Sequence, residues 1–313
     1  MFFKQFKAVF KNSFKVCSGD SFYLVISLTM VAAMALAASM PSIGYEHTRL
    51  VRDQTHSILF ICAALATSFG LIRVVTDDLR RGAGSILMSR PLSASVLIFG
   101  KLLGVLACTG MLFISGAAAA TWISEINHDA EIVEKGSFAL FIIFVFVSLF
   151  IGAGRQYMSG ASFSRGATVA LMLLLCVGTI IRYFTGKSEV FDFVGLQSIL
   201  LLYMALAVFA SVVLIFAVVA DSAIVLGVSI LIFFFGLLAE YVCVSVLGGQ
   251  LGDVFASILP NWQIFWVLEK IGLGHEIPIS YFFQCGIDAF LLCFMYTNVA
   301  VMFFDRSEIK GVA

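Results

Sequence analysis

The chain has 313 residues, of which 61% are hydrophobic and only 12% are charged, and its mean hydropathy is +1.05. This composition excludes an ordinary water-soluble domain and indicates a polytopic membrane protein. Basic and acidic residues number 19 each, so the net charge gives no support to a nucleic-acid or strongly anionic partner.

Residues 1–20 form an amphipathic segment. On a helical projection its aromatic residues gather on one face, and Lys4, Lys7, Lys11 and Lys15 gather on the opposite face. We expect an in-plane helix on the cytoplasmic surface, with its apolar face in the acyl boundary and its lysines toward the head groups. It is either a simple surface anchor or an elbow helix that braces the first span.

Residues 21–304 form the predicted transmembrane domain, and residues 305–313 form a cytoplasmic tail. A bilayer core of about 30 Å needs around 20 apolar residues per helix. This length predicts an all-α fold of about eight transmembrane helices. The predicted spans are Phe22–Met40, Ser57–Val75, Val96–Ile123, Phe138–Ala153, Ala167–Tyr183, Gln197–Ala220, Ser222–Leu247 and Tyr281–Phe304.

The basic residues predict the orientation, because Lys and Arg are retained on the cytoplasmic side. With both termini inside, most of them are cytoplasmic: Lys4, Lys7, Lys11, Lys15, Arg73, Arg80, Arg81, Arg90, Lys101, Arg155, Arg165, Arg306 and Lys310. Trp122, Trp262 and Trp266 then fall at the outer boundary, which favours an interfacial aromatic belt. We expect an integral protein of the cytoplasmic (inner) membrane.

Residues 137–184 are interrupted by glycines and by Arg155 and Arg165. The simplest interpretation is a hairpin of two spans with a cytoplasmic turn. A re-entrant pair is the alternative, because irregular backbone is tolerated at membrane depth only where protein or a cavity covers it.

A charged, glycine-punctuated loop covers residues 76–95. Arg80 and Arg81 end the preceding span, since a buried arginine costs a few kcal/mol, and Pro91 blocks a continuous helix. Between them a short turn or helix exposes Ile86, Leu87 and Met88. This apolar knob suits a groove on a soluble partner, and an ordinary positive-inside loop is the alternative.

The ordered set of residues in this loop resembles the cytoplasmic loop of ABC-transporter permeases of the type-2 exporter class. The set is Asp78, Gly82 or Gly84, Ser85, Ile86, Leu87, Pro91, Leu92, Ser93, Gly100 and Lys101. The amphipathic segment is similar to the elbow helix of that family, and Ser198–Leu238 is similar to its fourth and fifth spans. The hairpin at 137–184 is extra relative to a six-span core, and Asp78 stands where the family usually has Glu.

The resemblance implies that this loop is the coupling helix of a permease subunit. Its coupling residues would be Asp78, Arg80, Arg81, Gly82, Gly84, Ser85, Ile86, Leu87, Arg90, Pro91 and Lys101. The implied partners are two cytoplasmic ABC ATPase subunits, which carry ATP and Mg, and a second permease copy or a homologue. We expect no cofactor on this chain, because Gly186-Lys187-Ser188 lacks the upstream glycine of a phosphate loop: position 181 is Ile181.

Other polar residues give weaker indications. Glu240 and Asp288 reach furthest into predicted spans and are candidate transport-path residues. In the outer segment 248–280, Asn261–Ile271 predicts an interfacial or re-entrant helix. His47, His56, His128 and His275 are expected in outer loops, without spacing that supports a metal site. The seven cysteines show no Cys-x-x-Cys pair, and we interpret them as small apolar side chains.

The favoured function is therefore the permease subunit of an ATP-driven exporter, without enzymatic activity of its own. Two alternatives from other classes remain. An integral-membrane lipid-modifying enzyme needs several polar residues at one membrane depth. An ion-coupled secondary carrier needs broken helices in matched halves of the chain.

Overall fold

The structure is a computed structural model that describes residues 2–39, 47–79, 93–126, 135–184, 193–249, 258–272, 275 and 277–311. Within these ranges the chain contains ten α-helices and no strand. The helices are α1 (Phe2–Ser18), α2 (Ser21–Ser39), α3 (His47–Leu71), α4 (Ala94–Ile126), α5 (Lys135–Ser159), α6 (Phe163–Phe184), α7 (Phe193–Val219), α8 (Ser222–Tyr241), α9 (Leu268–Gly272) and α10 (Ile279–Gly311). Helix α3 continues as a π-helix over Ile72–Thr76, and α8 continues as a π-helix over Val242–Leu247.

Seven of these helices are long and apolar enough to cross a membrane. Helix α2, with 19 residues, follows α1 after a bend of 60°, and the bent pair brings the number of candidate spans to as many as eight. Each segment that hydropathy marked as a span is helical in the structure. The prediction of a polytopic all-α membrane protein is confirmed.

Three helices form the centre of the bundle. In each helix we compare how much of its most apolar 18-residue stretch is buried inside the protein. The buried share is 61% in α3, 67% in α4 and 61% in α7. The corresponding fractions are 17% for α5, 22% for α8 and 28% for α10. The outer helices therefore expose apolar side chains such as Phe146, Phe234 and Phe290, which suits a lipid environment.

Helix α1 lies against α4 at two glycines. A Cβ added at Gly100 would lie 2.9 Å from Cγ1 of Val9, and one added at Gly104 would lie 2.6 Å from the Cβ of Ser13. Small residues four apart allow two helices to approach closely. The face of α1 beside these glycines therefore packs on protein, whereas Phe3 of the apolar face is 83% exposed, so only part of that face is free for the acyl boundary. The lysines are exposed as expected.

Helices α5 and α6 form the extra hairpin. They contain 25 and 22 residues, so each is long enough to span, which favours the hairpin of two spans over a re-entrant pair. Gly160, with φ of +63°, makes the turn between them. A Cβ at Gly152 would lie 2.8 Å from the Cβ of Ala167, so the two helices touch near this turn.

The predicted aromatic belt is wrong for two of its tryptophans. Trp122 is 1% exposed and Trp262 is 2% exposed, whereas a belt residue presents its ring to the lipid interface. Gly178 leaves room for the ring of Trp122, and Arg182 lies 5.7 Å from the centre of that ring. Both tryptophans are packing residues inside the bundle.

Candidate functional site: a polar hub and a membrane chamber

The end of α3 forms a polar hub, which we define as Arg73, Thr76, Asp77 and Asp78. The local backbone is π-helical, and such wide turns frequently mark functional sites. The hydroxyl group of Thr76 donates to the carbonyl oxygen of Ala217 at the end of α7, at 2.9 Å. The hydroxyl group of Ser222 donates to Oδ1 of Asp77 at 3.3 Å, which connects the hub to the start of α8.

Arg73 connects the hub to α2. Its guanidinium group lies 3.3 Å from Oδ2 of Asp20 and 3.1 Å from Oδ2 of Asp77. Asp20 also accepts a hydrogen bond from the backbone N–H of Phe22 at 3.0 Å, so it caps the start of α2. Because the side chain of Arg73 is 45% exposed, these pairs contribute more to position than to stability.

Lys101 connects the hub to α4. Its ammonium group donates to the carbonyl oxygen of Val74 at 2.6 Å and to Oδ2 of Asp78 at 3.1 Å. The lysine side chain is only 5% exposed, whereas that of Asp78 is 39% exposed. Asp78 and Lys101 were both predicted as coupling residues, and the structure brings them together across 23 positions of sequence.

The rest of the predicted coupling set lies outside the described residues. This holds for Arg80, Arg81, Gly82, Gly84, Ser85, Ile86, Leu87, Arg90 and Pro91. The structure describes the chain on either side of the loop, up to residue 79 and from residue 93, and we call these two segments its stems. Asp78 lies near the end of the first stem, and α4 follows the second. The hydroxyl group of Ser93 accepts a hydrogen bond from the N–H of Val96 at 3.4 Å, near the start of α4.

The extra hairpin reaches the same end of the bundle. Arg165, at the start of α6, donates to the hydroxyl group of Ser18 at 2.9 Å and to the carbonyl oxygen of Lys15 at 2.6 Å. Both acceptors lie in the last turn of α1, and the carbonyl oxygen of Lys15 also accepts a hydrogen bond from the N–H of Gly19 at 3.1 Å. The structure therefore gathers Lys15, Arg73, Lys101 and Arg165 at one end, which we call the hub end.

A second feature is a segment that folds back into the bundle, residues 258–272. Trp262 lies on Gly236 of α8: a Cβ at that glycine would lie 2.1 Å from Nε1 of the indole. The indole N–H donates to the carbonyl oxygen of Phe233 at 3.0 Å, and the side-chain amide of Gln263 donates to that of Leu237, also at 3.0 Å. These contacts fix the segment against α8.

The depth of this segment follows from two tyrosines of α10. Tyr281, near the start of the helix, donates to the carbonyl oxygen of Ile264 at 2.6 Å. Tyr296, about four turns or 22 Å further along the helix, donates to that of Ile258. The segment therefore runs back alongside α10, which favours the re-entrant alternative, and we call it the re-entrant segment. The predicted single helix is wrong, because the chain forms a 3-10 turn at Gln263–Phe265 and then the short α9.

The re-entrant segment closes one side of a cavity of about 890 Å³, which we call the chamber. Irregular backbone at this depth is tolerated where it lines a cavity. The other walls come from α3, α7 and α8. The lining comprises Ser57, Phe60, Ile61, Ala64, Leu65, Ser68, Phe209, Leu226, Ser229, Ile230, Phe233, Phe234, Leu237, Glu240, Trp262, Gln263, Trp266, Glu269 and Lys270.

The two candidate transport-path residues separate in the structure. Glu240 lines the chamber together with Glu269 and Lys270. Asp288 does not line it and is exposed on α10. Glu240 therefore lies in the wall of a cavity, and Asp288 lies elsewhere.

His56 differs from its predicted place in an outer loop. It lies in α3, is 6% exposed, and its Nδ1 is 2.8 Å from the carbonyl oxygen of Arg52. His275 is exposed, as expected of a loop residue. Among the described residues no group of three His, Cys, Asp or Glu side chains comes together, and all seven cysteines are free thiols.

Several residues of both features escaped the sequence analysis. Thr76 and Asp77 precede Asp78 directly, so a cluster of polar residues at a span end was the available signal. Asp20 and Ser222 carry a helix-cap pattern, which indicated local structure and not a distant partner. Glu269 and Lys270 had no signal of their own, because they reach the chamber only through the re-entrant path.

No family model, curated protein or solved structure matches this chain.

Proposed function

We propose that this chain is the permease subunit of an ATP-driven exporter of the type-2 ABC class. The hub end faces the cytoplasm of a cell whose inner membrane holds the protein, and both termini lie on that side. Two ATPase subunits on separate chains bind ATP and Mg, and a second permease completes the assembly. The chamber, with Glu240 in its wall, is the path for the cargo.

The observation that carries this proposal is the convergence of helices on the two stems of the coupling loop. The hub joins the end of α3 to Asp20 before α2, to Lys101 of α4, and to the α7–α8 turn. A push on the loop between residues 79 and 93 is therefore transmitted to five helices at once. Helices α3, α7 and α8 are the ones that line the chamber, so the same push reaches its walls.

The experiment replaces the apolar knob of the loop. A double variant, Ile86→Asp with Leu87→Asp, places two carboxylates in the groove of the ATPase partner. Desolvating them without a partner lowers the affinity by more than about tenfold. The measurements are the amount of ATPase that co-purifies with the permease and the ATPase activity of the complex.

The matched control is Tyr157→Asp with Met158→Asp. These residues form another apolar pair, 94% and 87% exposed, near the turn of the extra hairpin. We expect both double variants to insert into the membrane and only the loop variant to lose the ATPase. Equal retention and activity of the ATPase in both variants, or no ATPase with the unaltered chain, would contradict the proposal.

A further inference from the structure

The chamber has the dimensions of a small-molecule site. Its volume of about 890 Å³ lies within the range of roughly 300–1,000 Å³ that is usual for ligand pockets. Most of its lining is aliphatic or aromatic, with a few polar groups that would orient a ligand. The kind of ligand depends on which polar groups remain available inside.

Aromatic rings form one side of the chamber. The ring of Phe60 lies 5.6 Å from that of Phe233, 6.2 Å from that of Trp262 and 6.5 Å from that of Trp266, measured between centroids. Phe60 and Trp262 are 3% and 2% exposed. They therefore support the half-buried rings of Phe233 and Trp266, which are the ones open to a ligand. Such rings attract organic cations, because the face of each ring carries negative electrostatic potential, and the attraction grows when water is excluded.

The hydroxyl groups in the chamber offer only lone pairs. Ser57 donates its proton to the carbonyl oxygen of Asp53 at 2.8 Å, Ser68 to that of Ala64 at 2.9 Å, and Ser229 to that of Val225 at 2.7 Å. Each acceptor belongs to the serine's own helix. A hydroxyl whose proton is engaged in this way acts toward a ligand as an acceptor.

The charged groups in the chamber also favour a cation. Glu240 and Glu269 line the chamber, and neither has an ion-pair partner among the described residues. Lys270 also lines the chamber, and its ammonium group lies 5.9 Å from the centre of the ring of Tyr281, which is not a lining residue. Two carboxylates against one lysine leave a net negative charge, which favours a cation and opposes an anion of equal size.

We propose that the chamber binds a lipophilic organic cation, such as a quaternary ammonium or phosphonium compound. The aromatic side holds the apolar groups around the charge, and Glu240 and Glu269 supply the counter-charge. This binding goes beyond the proposed ATP-driven function, because it requires neither an ATPase nor transport. If no ATPase co-purifies with the chain and the cation still binds, the proposed function is contradicted and this inference stands.

The test uses two probes that differ in the sign of their charge. Tetraphenylphosphonium and tetraphenylborate have nearly the same size and shape, so the chamber distinguishes them only by electrostatics. Binding to the purified full chain in lipid nanodiscs is measured by isothermal titration and by quenching of tryptophan fluorescence. Empty nanodiscs give the contribution of the lipid, into which the borate partitions more strongly because of the interfacial dipole potential.

We expect saturable binding of the phosphonium ion at least about tenfold tighter than that of the borate. The double variant Glu240→Gln with Glu269→Gln should remove most of this preference. Asp288→Asn is the matched control, because it neutralises an exposed carboxylate outside the chamber, and it should keep the preference. Phosphonium binding that matches empty nanodiscs, a preference for the borate, or an unchanged preference in the double variant would overturn the inference.

If the double variant does not fold, the two probes on the unaltered chain still decide the question. Phe233→Leu provides a second variant, since it removes a half-buried ring of the aromatic side and keeps an apolar side chain. It should weaken phosphonium binding by about tenfold, because the cation loses one of its ring contacts. Unchanged affinity in this variant would place the cation outside the aromatic cluster and contradict the inference.

Discussion

The hub and the wall of the chamber hold the bundle together by different physical means. At the hub, charged and hydroxyl side chains from several helices meet at distances between 2.6 and 3.3 Å. At the wall, a tryptophan lies in a notch that exists because residue 236 has no side chain. The hub therefore depends on side-chain groups that are present, whereas the wall depends on the absence of a side chain at residue 236.

The largest effect is expected at the wall. Gly236→Leu places side-chain atoms in the space of the Trp262 indole, since even a Cβ would lie 2.1 Å from it. Overpacking of this kind costs about 3 kcal/mol. Thermal unfolding in detergent, followed by size-exclusion chromatography, should show a midpoint lowered by about 5 °C.

The control for this variant is Gly227→Leu on the same helix. A Cβ at Gly227 meets nothing within 4 Å, so the two substitutions make the same change in helix propensity and differ in overlap. Similar midpoints for the two variants would show that the notch is not what secures the re-entrant segment.

The hub should show an intermediate effect with a definite asymmetry. Asp78→Ala leaves the ammonium group of Lys101, which is 5% exposed, without its carboxylate. Lys101→Met leaves only a carboxylate that is 39% exposed and keeps an apolar stem of similar length. Because an uncompensated buried charge costs more than an exposed one, Asp78→Ala should destabilise the protein by about 2 kcal/mol more.

Thermal unfolding midpoints of the two hub variants measure this asymmetry. Asp78→Asn is the conservative comparison, since its side-chain oxygen can still accept from Lys101. If the unfolding midpoint falls further in Lys101→Met than in Asp78→Ala, the unpaired carboxylate, and not the unpaired lysine, is the more costly group to leave in the folded protein.

The smallest effect is expected where the extra hairpin meets α1. Arg165→Gln removes the hydrogen bonds to Ser18 and Lys15, with an expected cost of about 1 kcal/mol. Hydrogen exchange of the last turn of α1 should become faster, because that turn loses its contacts with the Arg165 side chain. Arg155→Gln changes an exposed arginine of the same hairpin and should leave the exchange unaltered.

The spans could be predicted from the sequence because the bilayer fixes how long an apolar run must be. The predicted span Phe138–Ala153 is a helix to Ser159, and Ala167–Tyr183 is a helix from Phe163 to Phe184. The beginning of α3 was placed too late, at Ser57, because Arg52, Asp53 and His56 look like loop residues. Burial of Val51 and Thr55 against the rest of the bundle overrides that local polarity.

The sites could be predicted only in part. Asp78 and Lys101 were found through their order in the loop. Other contacts at the hub end join residues that are far apart in the sequence: Thr76 bonds a residue 141 positions away, and Arg165 one 150 positions away. Such pairs depend on how helices pack, which hydropathy does not encode. Trp262 was misplaced for the same reason, since a tryptophan near a span end is typical of the interface, and only the notch at Gly236 brings it inside.

The two glycines at which α1 meets α4 have a mechanical consequence. Helix α1 carries four exposed lysines and lies in close contact with α4 at these glycines. Lys101 follows the first of those glycines directly and bonds the end of α3. Under the proposed function, a tilt of α4 would move α1 with it, so the charge of the surrounding bilayer would contribute to the resistance that the lysines of α1 meet.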